Sequence, residues 1–140
     1  MARILVIEDE ADFAKDAAES LRREGYEVDV TRTYDDAVLL LDRNRYDVVS
    51  LDIVMKVDPN ADPSWLEEVD YGRKAGLALY RSKLRSLSPP MRVVICSVLA
   101  DNPEIVRECG QAERLRKPMS LSTYMAVIKS AVDEVGQGSE

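Results

Sequence analysis

Short apolar runs and helical stretches alternate five times along this chain, and that alternation constrains the fold more than any other feature. Predicted strands lie at residues 3–7, 26–30, 46–51, 91–96 and 112–116. Helical apolar spacing follows each strand, at 11–24, 33–41, 77–87, 102–110 and, from Ser120 or Ser122, to 135. Helices of this length between strands are typical of βαβ units with right-handed crossovers. The pattern therefore predicts an α/β fold with a doubly wound, five-stranded parallel sheet.

Local signals mark where several of these helices begin and end. Gly25 is placed as the C-cap of the first helix. The run Thr33-Tyr34-Asp35-Asp36 is similar to a capping box and opens the second helix. Pro89-Pro90 ends the third helix, and Asn102-Pro103-Glu104 is typical of a helix start, with proline at the first helical position.

The composition fits one domain in a reducing compartment. We expect the domain to span residues 1–135 and a polar, disordered tail to occupy 136–140. No apolar run approaches the ~18 residues of a membrane span. Two cysteines, Cys96 and Cys109, are too few for a disulfide framework, so we expect a cytoplasmic protein in which both are structural.

The charge and the lack of histidine exclude further classes of function. The net charge is −7, which argues against direct binding to nucleic acid, because that function needs a basic face. The chain has no histidine, so it cannot supply a phosphohistidine of its own. Many metal sites and acid–base schemes are excluded for the same reason.

Polar groups follow four of the predicted strands, at Glu8-Asp9, Asp52, Ser97 and Lys117-Pro118. Each has an ordinary explanation when it is taken alone, such as solvating a loop or favouring the start of the next helix. Their joint occurrence is more informative, because parallel strands bring all these groups to the carboxyl edge of the sheet, where open α/β sheets bind ligands. Carboxylates grouped around a lysine predict a site for a divalent cation and a phosphoryl group.

The chain resembles the receiver domains of two-component response regulators, which are CheY-like. The resemblance covers nearly the whole chain and rests on residues 4–10, 47–55, 93–97 and 116–120. It implies the flavodoxin-like (βα)5 fold with strand order 2-1-3-4-5. It also implies that Asp52 accepts a phosphoryl group from a phosphohistidine on a partner kinase.

The resemblance assigns further roles around Asp52. A Mg²⁺ ion would be held directly by Asp9, by Asp52 and by the backbone carbonyl of Val54, and by Glu8 through water. Lys117 would pair with Asp52 at rest and with a phosphoryl oxygen afterwards.

Two more features of the site follow from the same resemblance. Ser97 would donate its hydroxyl to another phosphoryl oxygen, and its movement would be the switch. The Lys117-Pro118 peptide would be cis.

Two side chains near the site depart from the family pattern. Arg114 stands three residues before Lys117, where the family usually has the aromatic half of the switch. We expect Arg114 to be either a solvated edge residue, which we favour, or a group that moves between a salt bridge and solvent. Val98 follows the switch hydroxyl and is bulkier than usual, so we hypothesise that it restricts access to the phosphoryl group.

The loop after Asp52 is the third departure. The proline that the family usually has soon after the acceptor is absent, and Lys56 and Val57 occupy these positions. An insertion follows over about 56–75. Residues 63–68 are predicted as a short helix capped by Ser64, with Trp65-Leu66 packing on the domain. Long loops in compact domains are generally functional or disordered. We favour a role in partner choice or in gating the acceptor, and the alternative is a tolerated surface insertion.

The sequence therefore predicts a signalling receiver whose chemistry is limited to its own phosphotransfer and autodephosphorylation. Its expected partners are a histidine kinase or phosphotransfer protein and a downstream protein. The resemblance also implies that a homodimer can form through the predicted helix 4–strand 5–helix 5 face. The alternative is an interaction module that never carries phosphate. A phosphatase with an aspartyl nucleophile is disfavoured because Val54 stands where a second aspartate is usual, and a nucleotide-binding fold because Glu8-Asp9-Glu10 replaces a glycine-rich loop.

Overall fold

The five strands of the computed structural model lie in one sheet in the order β2-β1-β3-β4-β5. The structure describes residues 1–86 and 91–138. The strands are β1 (Arg3–Ile7), β2 (Glu27–Thr31), β3 (Val48–Leu51), β4 (Arg92–Ser97) and β5 (Glu113–Arg116). Every neighbouring pair is parallel. The predicted doubly wound α/β fold with strand order 2-1-3-4-5 is confirmed.

Six α-helices flank the sheet within the described ranges. They are α1 (Ala11–Arg23), α2 (Tyr34–Arg43), α3 (Pro63–Glu68), α4 (Ala75–Leu79), α5 (Pro103–Cys109) and α6 (Leu121–Gly138). None of the helices in residues 1–86 and 91–138 has the length and hydropathy needed to cross a membrane.

Two helices differ in extent from the predictions. The predicted helix over 77–87 is a short α4 that continues as a π-helical segment, Tyr80–Leu84, and Leu87 and Pro89-Pro90 lie outside the described residues. The last helix runs to Gly138, three residues past the predicted boundary at 135, and residues 139–140 lie outside the described part.

Alternate side chains of the central strands enter two separate cores, one on each face of the sheet. One core holds Leu5, Ile7, Val49, Leu51 and Ile95 together with side chains of α2, α4 and α5. The other holds Ile4, Val6, Val48, Val94 and Cys96 together with side chains of α1 and α6. This alternation is the period of two expected of a strand, and covering both faces explains why the buried positions of the central strands are mostly apolar.

The predicted caps at Thr33 and Asn102 are confirmed, and Gly25 lies one residue beyond the C-cap of α1, which is Glu24. Gly25 follows α1 with a φ of +94°, a left-handed conformation that favours glycine. The hydroxyl of Thr33 accepts a hydrogen bond from the Asp36 backbone N–H at 3.2 Å. The side-chain oxygen of Asn102 accepts one from the Glu104 N–H at 2.9 Å. These caps fix where α2 and α5 begin, and therefore where the loops before them meet the sheet edge.

The insertion is ordered and contains the predicted short helix, but the predicted cap is wrong. Asp62, and not Ser64, caps α3: its Oδ1 accepts hydrogen bonds from the N–H groups of Ser64 at 2.8 Å and Trp65 at 3.3 Å. Proline favours the first helical position, so Pro63 places the cap at the residue before it.

The insertion extends the core on the side of α2. Leu66 and Val69 are buried, and the Trp65 ring contacts the Tyr34 ring edge-on, with centroids 5.0 Å apart. The backbone carbonyl of Gly72 accepts a hydrogen bond from the Met55 N–H at 3.0 Å. The predicted packing of Trp65 and Leu66 is thus confirmed.

Candidate functional site

The carboxyl ends of β1 and β3 bring three acidic side chains together. The two strands are adjacent, and the Asp52 N–H donates to the Ile7 carbonyl at 3.0 Å. Glu8, Asp9 and Asp52 each offer a carboxylate oxygen, and these oxygens lie within 4.8 Å of one another. Glu8 and Asp52 are buried, while Asp9 is half-buried. The structure therefore places the three predicted acids in one cluster.

Lys117, at the end of β5, provides the positive charge of this cluster. Its Nζ lies 2.6 Å from Glu8 Oε1, 3.1 Å from Asp52 Oδ2 and 3.4 Å from Glu10 Oε2. The Lys117–Pro118 peptide bond is cis, as the resemblance implied. The Lys117 N–H also donates to the Ser97 carbonyl at 3.1 Å, which ties the lysine to the end of β4.

Sequence reasoning missed two neighbours of Lys117. Glu10 was noted only as part of the acidic run, yet its carboxylate contacts the ammonium. Phe13 was placed only on the apolar stripe of the first helix, and its ring centroid lies 5.4 Å from Lys117 Nζ. Their position could have identified both residues. Glu10 lies in the loop after β1 and Phe13 in the first turn of α1, directly after Glu8 and Asp9.

Burial and charge together shift the pKa values of the cluster. Burial, followed by the nearby Asp52 charge, raises the pKa of Glu8 to about 8. Burial and Asp52 also raise the pKa of Asp9. Burial alone would lower the pKa of Lys117, but its hydrogen bond to Glu8 and the Asp52 charge outweigh burial and raise it. The Lys117 ammonium is therefore charged. Among the residues that the structure describes, the cluster contains three acidic side chains and only this one cation.

An open cavity of about 400 Å³ gives access to Asp52. It is lined by Asp9, Glu10, Phe13, Asp52, Val54, Val98, Lys117, Pro118 and Met119. The Val54 N–H donates to Asp52 Oδ1 at 3.1 Å, which orients the carboxylate. The cluster offers only oxygen ligands from Glu8, Asp9 and Asp52, and a hard cation such as Mg²⁺ prefers this donor set.

Ser97 is the last residue of β4 and is fully buried. Its hydroxyl accepts a hydrogen bond from the Leu99 N–H at 3.2 Å. Val98, the next residue, is 58% exposed and lines the cavity beside Asp52. The hydroxyl is thus held by the loop that follows β4, and Val98 stands at the cavity rim.

Arg114 lies on the edge strand β5 and contacts the loop that follows β4. It is half-buried on β5, and its Nη1 donates to the Ala100 carbonyl at 3.3 Å. It forms no salt bridge with any residue in 1–86 or 91–138. The guanidinium of Arg114 therefore contacts the loop that follows Ser97, and the role of Arg114 in the switch stays a prediction.

Comparison with known proteins agrees with this geometry. The family model of the response regulator receiver domain matches residues 4–59, which include Glu8, Asp9 and Asp52. The transcriptional regulatory protein PdtaR of Mycobacterium tuberculosis is 30% identical over 132 residues, covering 93% of this chain and 56% of that protein. The chain thus spans about half the length of the curated relatives it matches.

Solved structures share the fold. A response regulator protein from Burkholderia pseudomallei with a phosphorylated aspartic acid, calcium ion and citrate has a TM-score of 0.69 and 22% identity, covering 99% of this chain and 73% of that one. The response regulator TrrA of Thermotoga maritima, in complex with Mg²⁺ and BeF, has a TM-score of 0.64 and 22% identity, covering 94% and 99%. The chain is therefore similar to response regulator receiver domains, by the family model over residues 4–59 and by its fold over nearly the whole chain.

Proposed function

We propose that Asp52 accepts a phosphoryl group from a phosphohistidine on a histidine kinase or a phosphotransfer protein, and that this modification switches the binding of a downstream protein. The observation that carries the proposal is the buried Asp52 carboxylate, which lines an open cavity and contacts Lys117 at 3.1 Å. Receiver domains of this family are signalling modules that interact with histidine kinases and downstream effectors.

The proposed transfer forms one bond and breaks one. A carboxylate oxygen of Asp52 attacks the phosphorus, the phosphorus–nitrogen bond of the donor breaks, and the released imidazole nitrogen takes up a proton from solvent. A carboxylate is a weak nucleophile, so the site must act by positioning and by neutralising charge. The N–H of Val54 and the ammonium of Lys117 hold the two oxygens of Asp52 in place.

The residues present fit a Mg²⁺ ion. Asp9, Asp52 and the carbonyl of Val54 would hold it, with Glu8 acting through water. The three carboxylates lie within 4.8 Å of one another, and Val54 lines the same cavity as Asp9 and Asp52. When bound, the ion supplies positive charge for the phosphoryl oxygens. Lys117 would exchange its contact with Asp52 for one of those oxygens.

The switch begins at Ser97 in this proposal. Its hydroxyl would leave the Leu99 N–H and donate to a phosphoryl oxygen, which would free the loop that follows β4. Arg114 holds the same loop through the Ala100 carbonyl, so it takes the place of the missing aromatic switch residue. Val98, at the cavity rim, would slow the loss of the phosphoryl group by restricting the approach of water.

The partner surfaces are part of the same proposal. The α5–β5–α6 face would contact the downstream protein or a second copy of the chain, and the insertion over 56–75 would influence which kinase docks. The chain would act in the cytoplasm without binding nucleic acid itself, and its only chemistry would be its own phosphotransfer and autodephosphorylation.

Relatives with similar folds support the proposal. The Burkholderia pseudomallei protein carries a phosphorylated aspartic acid, and the Thermotoga maritima protein binds Mg²⁺ and BeF. Beryllofluoride mimics a phosphoryl group on a carboxylate, which makes it a suitable probe for Asp52.

The test is Mg²⁺-dependent binding of beryllofluoride, followed by backbone NMR. We expect the amides of Ser97, Leu99 and Ala100 to shift in the parent protein, and Asp52→Asn to abolish the response. Asp12→Asn is the matched control, because Asp12 is an exposed acid three residues after Asp9, and it should respond like the parent. If Mg²⁺ binds but beryllofluoride causes no response, the phosphate-independent interaction module is the better description.

A further inference from the structure

A second cavity, of about 640 Å³, opens where β2 meets α2 and the first residue of the insertion. Three cationic side chains, Arg32, Arg43 and Lys56, and one acid, Asp36, line it. Three positive charges and one negative charge give +2, in a chain whose net charge is −7. This local excess of positive charge is the opposite of the whole-chain balance, and it favours an anionic ligand.

The three cations are available for such a ligand. Within residues 1–86 and 91–138, none of Arg32, Arg43 and Lys56 forms a salt bridge, although fourteen ion pairs occur elsewhere in those ranges. The guanidinium of Arg32 donates to the backbone carbonyl of Asp9 at 3.2 Å, which leaves its other N–H groups free to bind.

A buried hydroxyl in the cavity wall also lacks a partner. Thr31 lines the cavity and is 5% exposed, and its Oγ1 has no hydrogen-bond partner among the residues that the structure describes. Buried polar groups are nearly always hydrogen-bonded, so an isolated hydroxyl beside a cavity indicates a missing partner. A ligand oxygen at the Thr31 end of the cavity would satisfy it.

Backbone contacts hold Lys56 beside the end of β2 and the start of α2. Thr33 and Lys56 form a parallel bridge, and the Tyr34 N–H donates to the Lys56 carbonyl at 3.0 Å. The Asp36 N–H is already used by the Thr33 cap, so side chains rather than the start of α2 provide the binding groups. The insertion therefore contributes Lys56 to a cavity whose other walls come from β2 and α2.

We propose that this cavity binds a phosphate or phosphomonoester dianion through Arg32, Arg43 and Lys56, with the Thr31 hydroxyl as a further hydrogen-bonding group. The proposal does not depend on phosphorylation of Asp52. The Arg32 contact with the Asp9 carbonyl links a wall of this cavity to the loop that carries Asp9.

Inorganic phosphate tests the proposal by NMR titration in EDTA at constant ionic strength. Without a metal, the acceptor cavity contains more acids than cations and repels the ion. We expect saturable shifts at the amides of 31–33 and Lys56. Arg43→Ala and Lys56→Ala should each weaken binding by about three- to tenfold, the effect of losing one exposed charge-assisted contact.

Matched control variants distinguish binding in this cavity from nonspecific attraction of phosphate to surface cations. Arg45→Ala and Lys15→Ala remove exposed cations that do not line the cavity, and both should bind phosphate like the parent. Glycerol phosphate and acetate separate the ligand classes, and the phosphomonoester should bind while acetate should not. Absence of saturable shifts, equal weakening by Arg45→Ala, or equal binding of acetate would each overturn the proposal.

Discussion

Lys117 is the residue on which the charge balance of the acceptor site depends. Its ammonium contacts Glu8, Glu10 and Asp52, so one positive charge is shared among three carboxylates. Unpaired buried charges are strongly unfavourable, and Glu8 responds with a raised pKa. The remaining negative charge makes the cluster a site for a divalent cation.

The sequence predicted where Arg114 would lie but not what it would contact. Its position three residues before Lys117 follows from counting along β5. Its partner is the backbone carbonyl of Ala100, which has no signature in the sequence because every residue offers a carbonyl. Contacts of this kind depend on loop geometry, and the sequence pattern does not determine that geometry.

At the residue scale, we predict that Cys96 and Cys109 are unreactive in the folded protein. Both thiols are buried, and burial raises the pKa of Cys96 to about 12 and that of Cys109 to about 11, from an ordinary 9.0. Because the thiolate is the nucleophile, alkylation near neutral pH should be at least about a hundredfold slower than in denaturant. Intact mass after timed iodoacetamide treatment measures both rates.

The same pKa shifts predict that the free energy of unfolding decreases at high pH. Folding raises the pKa of each thiol, so this contribution to stability is complete below pH 9.0 and is lost as the pH rises toward about 11 and 12. Cys96→Ala and Cys109→Ala identify which thiol reacts. Rapid alkylation of the native protein at either position would contradict the burial of these side chains.

At the element scale, the insertion belongs to the core rather than to a separate flap. Leu66 is 7% exposed, and Val69 and Met55 are part of the same apolar cluster as β1 and β3. Trp65 is the one tryptophan of the chain, so its fluorescence reports on the insertion and on its packing against the domain. Unfolding of the insertion can therefore be compared directly with unfolding of the whole domain.

We predict that the insertion and the domain unfold together in urea. The transitions followed by Trp65 fluorescence and by far-UV circular dichroism should coincide. Leu66→Ala should destabilise both by about 2–4 kcal/mol, because it removes buried apolar volume. Glu67→Ala, an exposed neighbour on the same helix, should change stability by less than ~0.5 kcal/mol. An earlier transition for Trp65 would mean that the insertion is only loosely attached.

The starts of helices were predictable from the sequence where a capping residue determines them. Thr33 and Asn102 were recognised as caps from their spacing alone. Asp62 was missed, although Pro63 at the first helical position pointed to it, because Ser64 is an equally good cap type. The π-helical turn at Tyr80–Leu84 has no pattern of its own, since apolar spacing does not separate it from an α-helix.

At the scale of the whole molecule, parallel topology makes the site predictable from distant segments. Apolar runs identify the strands, and the parallel order puts their polar carboxyl ends at one edge, so Glu8, Asp9, Asp52 and Lys117 meet although they are far apart in the chain. The β2–α2 cavity was not predictable in this way. It needs Lys56 to fold back beside Thr33, and only the packed insertion places it there.

The central claim is that Asp52 is a working phosphoacceptor, and intact mass spectrometry after incubation with Mg²⁺ and a small-molecule phosphodonor tests it most directly. We predict one added phosphoryl group that is lost without Mg²⁺ and in Asp52→Asn, and is kept in Asp35→Asn, which removes an exposed acid on α2. No adduct when Mg²⁺ is bound, or an adduct that persists in Asp52→Asn, would contradict the claim.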